Sequence, residues 1–133
     1  MSHTRTFTRA LAGEGVETTS YAKEITAGQL VDVSESVADE STDYHLAWPV
    51  NIEAAKAILI GSDQDVTIEI NYPGGTSTAA DQTLTMKANQ PLLWLDDDAD
   101  SCPITQDVTD VYVTNASGAA ANIRLLAMVD PSP

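Results

Sequence analysis

The sequence predicts an all-β chain: an antiparallel sandwich or barrel of nine or ten short strands. Apolar and polar residues alternate with period two through most segments, and Gly, Asn, Asp or Ser turns interrupt them at short, regular spacing. A third observation is that "VNIEAAKA" is the one stretch that reads as a helical turn, with Asn51 as its cap. At 133 residues the chain is long enough for one core and too short for two, so residues 1–133 are read as a single domain.

In order along the chain, His3 to Leu11 places Thr4, Thr6 and Thr8 on one face of an extended segment and Arg5, Phe7 and Arg9 on the other. "AGEG" turns into "VETTSYAKEIT", whose Thr, Tyr and Val content favours a second strand. In "QLVDVSESVA" Val31, Val33 and Val37 share the buried side. After the polar break "DESTD", "YHLAWPV" is limited by Pro49 to a sheet edge or a strand end. "AILIG" is apolar on both faces, as a central strand covered from two sides is.

The most regular segment runs from Ser62 to Ala88. Val66, Ile68, Ile70 and Tyr72 alternate with polar residues, a Pro-Gly-Gly tip turns the chain, and Leu84, Met86 and Ala88 alternate again. "QPLLWL" and "DVYVTN" supply two more strands. "NIRLLAMV" ends the series, with Ile123, Leu125, Ala127 and Val129 on one side. Leu126 and Met128 occupy its opposite side, so that this strand needs cover twice, from a neighbouring sheet or from a second subunit.

Charge narrows the function. Twenty acidic against six basic residues give a net charge of −14, which opposes broad attraction to nucleic acid or anionic lipid. With 43% hydrophobic residues the acidity sits on a folded surface, as it does in proteins of high-salt habitats and in many that simply stay soluble. The single Cys102 closes no intramolecular disulfide and builds no cysteine zinc site. The N-terminus has no apolar h-region, and no window approaches the roughly 20 apolar residues of a membrane span, so neither secretory export nor a membrane is expected.

Reactive constellations are absent, and the expectation is a non-enzyme without cofactors. Asp96, Asp98 and Asp100 have the D-x-D-x-D spacing of a calcium loop, with Asp107 at its twelfth position. Ser101 stands where a glycine turn is needed, Pro103 disrupts the loop and no helices flank it, so a solvated acidic loop is the default and no metal is assigned. His3 and His45 lack metal-ligand neighbours, Cys102 reads as a small hydrophobe among acidic neighbours, and "NAS" at Asn115–Ser117 is a glycosylation sequon without a secretory route. Trp48 and Trp94 read as core or interface anchors, or as a sugar platform.

One asymmetry points to association. Before Glu14 the chain carries Arg5 and Arg9 and no acid, and everything after is strongly negative. Residues 1–13 are therefore read as an extended arm that docks on an acidic neighbouring copy or another protein, against the plainer reading of a first strand with two solvated arginines. Arg5, Phe7, Arg9, Leu126 and Met128 are the interface candidates.

"ILIGSDQDVTIEIN" and "DVTDVYVTNASGAAANIRLLAMVD", with the extended N-terminal segment and the "PLLW" strand, give the chain a pattern from Ser2 to Asp130 that resembles small virion proteins of tailed phages and related viruses. The resemblance implies a jelly-roll-like antiparallel β-sandwich. It implies a capsid decoration or cement protein, made in the host cytoplasm and seated on the outer capsid surface as a homo-oligomer, a trimer for preference. Its partners are then the major capsid protein and other copies of itself. A tail, adaptor or fibre component is the alternative among virion parts. From another class, a carbohydrate-binding β-sandwich would use Trp48, Trp94 and the acidic loop with Ca2+.

Overall fold

Ten strands organise the described residues of this computed structural model, which are 2–13, 16–71 and 81–130, with the side chains of 11–20 left aside. They are β1 (His3–Gly13), β2 (Val16–Ala27), β3 (Gln29–Val37), β4 (Ser41–Val50), β5 (Ala55–Ser62), β6 (Val66–Ile70), β7 (Gln82–Met86), β8 (Leu92–Leu95), β9 (Val108–Asn115) and β10 (Ala121–Val129). The expected turn residues Glu14 and Gly15, and the Pro-Gly-Gly tip with Tyr72, lie outside the described residues. The expected helical turn is a single 3-10 turn, Ile52–Ala54, whose cap Asn51 accepts the Glu53 N–H at 3.2 Å.

Strands β3 to β10 form two four-stranded antiparallel sheets, ordered β3-β10-β5-β8 and β4-β9-β6-β7. The pairing is nested: β6 with β7, β5 with β8, β4 with β9 and β3 with β10. A long antiparallel ribbon rolled up so that its successive pairs fall in opposite sheets has this connectivity, and it is that of a jelly roll. The expected all-β sandwich is therefore what the chain forms.

Period-two patterning explains the main core. Val66, Ile68 and Ile70 point inward from β6, as do Val111 and Val113 from β9, Ile58 and Ile60 from β5, and Ile123, Leu125, Ala127 and Val129 from β10. Trp48 is fully buried among them, and its indole N–H reaches the Val31 carbonyl at 3.3 Å, so the bulkiest side chain leaves no orphaned donor. Pro49 lies near the end of β4, an edge strand with two register shifts, as its ring requires. Strand β7 stops at Met86, short of the alternation that continued to Ala88, because the Ala88 N–H is taken by the Asp65 carboxylate at 2.8 Å.

The remaining two strands make a separate layer. β1 and β2 pair antiparallel along ten register positions and form their own two-stranded sheet. It lies on the outer face of the β3-β10-β5-β8 sheet, where Ile25 and Ala27 of β2 close over Ala57, Leu95, Leu126 and Met128, with Phe7 packed beside them. This is why β5 and β10 are apolar on both faces: one face meets the opposite sheet, the other the hairpin.

Candidate functional site

The hairpin layer gathers most of the residues singled out from the sequence. Leu126 and Met128 are 4% and 0% exposed under it, so within a single chain the second apolar strip of β10 already has its cover and presents no free surface. The second subunit is not needed to bury it. Partners directly opposite in an antiparallel pair share a face, so Arg5, Phe7 and Arg9 lie on one side of the hairpin with Ile25, Lys23 and Tyr21; Phe7 and Ile25 pack on the body there, whereas Tyr21 is 72% exposed. Thr4, Thr6 and Thr8 look away, and Thr4 and Thr26 exchange a hydroxyl hydrogen bond at 2.9 Å on that outer side.

Segment 3–13 is extended, as expected, and its cation docks on the chain's own acidic loop. Arg9 forms a forked pair with Asp98, at 3.2 and 2.8 Å, and its second nitrogen also reaches the Leu93 carbonyl at 3.5 Å. Lys23 pairs with Asp97, and Lys56 lies 3.4 Å from Asp96 and 3.6 Å from Asp130. The Arg9 guanidinium, helped by the Leu95 N–H at 3.0 Å, holds the Asp98 carboxyl below its usual range. Hydrogen bonding to Asp97 raises Lys23, and hydrogen bonding to Asp96 raises Lys56. Arg5 differs: its guanidinium reaches only the Thr4 carbonyl, at 3.0 Å, and it is the one lysine or arginine among the described residues without an ion-pair partner.

The same loop bears on the calcium pattern. Asp96, Asp97 and Asp98 each face a different cation, while Asp100 offers its backbone carbonyl to the Trp94 indole at 3.0 Å. Asp107 accepts the Ile52 N–H at 2.9 Å and so caps the 3-10 turn. Among the described residues no three His, Cys, Asp or Glu side chains converge as metal ligands. The D-x-D-x-D spacing describes a turn that receives the hairpin.

Other candidates fall into structural roles. Trp48 is buried and unavailable as a sugar platform, and Trp94 is half-buried at the acidic turn. His45 lies 2.6 Å from Asp110 and against the Tyr112 ring on the exposed face of the other sheet, whereas His3 is half-buried at the start of β1. Burial pushes the Cys102 thiol up, which makes it a poor nucleophile. Asn115 is fully buried, and its amide nitrogen donates to the carbonyls of Val37 at 3.0 Å and Ala119 at 2.8 Å, so the folded chain offers no acceptor at its sequon. An open cleft beside β6, β7 and β9 brings Asp65, Thr67, Thr85, Thr114 and Ser117 together, but the Ser117 hydroxyl is bound to Asn115 and the Asp65 carboxylate to Ala88 and Lys87.

Sequence reasoning missed Lys23, whose partner lies 74 positions away, and Asn115, which ties the β3–β4 corner to the β9–β10 turn. The second turn also needs glycine, since Gly118 has φ +97° and gives its N–H to Asp39 at 2.9 Å. The asymmetry of Arg5 and Arg9 against an acidic remainder was the available signal for the Arg9–Asp98 pair.

No family model and no curated protein matches the chain. Among solved structures it is similar to a pilus structure described as "Bacillus endospore appendages form a novel family of disulfide-linked pili", at 16% identity, covering 78% of this chain and 93% of that one, with a TM-score of 0.32.

Proposed function

We propose that this chain is a non-enzymatic structural protein of a virion, a decoration or cement protein that self-associates on the outer face of the major capsid shell. The observation that carries the reading is the β1–β2 hairpin: a long antiparallel ribbon held on a jelly-roll body, with hydrogen-bonding edges that no other strand among the described residues covers. Strand edges of this length are templates for pairing with another chain, and proteins that do not use them blunt them. The acidic, hydroxyl-rich exterior keeps such a protein soluble until it meets its lattice.

Adhesion requires surface burial and no reacting group. The ionisable clusters support this reading, because their members hold one another or cap backbone. The test is to mix the purified full chain with shells assembled from a tailed-phage major capsid protein of the same host and image the product. Regular density at a fixed copy number on the outer shell is expected. Density confined to a tail ring, or chain left entirely in the supernatant, would reject decoration.

A further inference from the structure

The structure assigns a self-association surface: the free edge of β1 in one copy adds to the free edge of β3 in the next. This deepens the reading above by naming the surface through which copies would meet. The edges of the fold are unequally protected. β4 carries Pro49 and two register shifts, and β7 and β8 are only five and four residues long. β3 has nine residues, no proline and no register shift against β10, its one neighbour among the described residues. β1 is regular from His3 to Leu11 and, among the described residues, has β2 as its one neighbour.

Charge selects which of these edges meet. In a chain of net charge −14 a second copy is repelled almost everywhere. Arg5 on β1 is the cation without a carboxylate, whereas β2 mixes Lys23 with Glu24. On β3, Asp32 is taken by a forked pair with Arg124 at 2.9 and 3.0 Å. That leaves Glu35, exposed and bound among the described residues only by the Tyr44 hydroxyl at 3.4 Å. An antiparallel register that sets Arg5 opposite Glu35 also sets Phe7 opposite Val33 and Thr6 opposite Ser34. It pairs the two lone charges, brings two half-buried apolar side chains together and matches two small hydroxyls.

Placement agrees. β2 lies over β10 and β5, and Arg9 of β1 reaches Leu93 and Asp98 at the β8 flank, while β3 is the opposite flank of the same sheet. Donor and acceptor edges therefore lie on opposite sides of one molecule, and the contact is head-to-tail, of the kind that closes into a ring when the rotation allows. One strand edge buries well under the roughly 1,000 Å2 of a stable pairwise interface, so two free copies associate weakly and a closed ring or a shell multiplies the effect.

Sedimentation of the full chain up to about 1 mM at about 0.15 M salt tests this. The weight-average mass is expected to climb above 14.1 kDa with concentration. Arg5→Glu and Glu35→Arg should each weaken association about tenfold, and the double variant should return to within about threefold of the parent. Amide exchange of the unaltered chain, which does not depend on any variant folding, should slow at 3–11 and 29–37 as concentration rises. A mass that stays monomeric throughout, singles that associate as the parent does, a double no better than the singles, or protection at other strands would overturn the assignment. Shell binding with self-association indifferent to both swaps would sink this surface and leave the virion reading standing. Association through these edges with no shell binding would do the reverse.

Discussion

Replacing Ile25 by alanine should release the N-terminal hairpin while leaving the jelly roll folded. Ile25 is 5% exposed and sits in the small apolar layer between the hairpin and the outer face of the β3-β10-β5-β8 sheet. The change deletes three carbons, which at about 0.8 kcal/mol for each buried carbon and with some collapse of the gap gives about 2 kcal/mol. That loss falls on the docking of the hairpin, because the main core contains no β1 or β2 residue. An isolated two-stranded hairpin is marginal in water, so undocking amounts to local unfolding of β1 and β2. At a factor of ten for every 1.4 kcal/mol, amide exchange in residues 3–11 and 21–27 should accelerate about 30-fold. The amides of Ile58, Ile60 and Leu125 should keep their protection. Equal acceleration in β5 and β10, or none in the hairpin, would refute the reasoning that the outer layer is a separate cooperative unit.

Three other perturbations probe different links. Trp48→Ala empties the largest fully buried site and should lower stability by about 3–5 kcal/mol, read as a shift of the urea midpoint at constant slope; a change below about 1 kcal/mol would mean that the site collapses freely. Asp98 is depressed below its ordinary 3.8, so the stability it lends is present above that value and disappears as pH falls through the lower folded value. Resonances of Arg9 and Asp98 should therefore shift as the pair opens below about pH 4, and Asp98→Asn should show the change at Arg9 already at neutral pH. Millimolar Ca2+ should leave the melting temperature of the parent unchanged, because the three consecutive aspartates each face a cation of the chain; a rise of several degrees reversed by chelator would show that the ion displaces Lys23 and Arg9.

The strands were legible because their signal is local. In β6, in β9 from Val111 onward and in β10 as far as Leu125, each inward residue is separated from the next by one outward residue, and burial follows that alternation. Apolarity on both faces of "AILIG" and "RLLAMV" announced two covers. It could not say whether the second came from the same chain, because a strand records that it is covered and not by whom. The 3-10 turn was legible at Asn51 for the same local reason.

The site was legible only in composition. Arg5 and Arg9 stood out against an acidic chain, yet Arg9 meets Asp98 across 89 positions and Arg5 meets no acid among the described residues, a difference that no spacing rule encodes. The aspartate run shows the converse: its ligand-like spacing is real, but Lys23, Lys56 and Arg9 arrive from three strands to occupy it.

By itself, then, the sequence determined which residues are strand, which faces are apolar and how negative the surface is, since these follow from side-chain chemistry at separations of one or two residues. Tertiary structure alone decided the nested pairing, the folding of β1 and β2 onto the outer sheet, and the choice of which cation stays free. Those outcomes depend on long-range closure, where a contact between distant positions exists only once all the intervening strands have found their places.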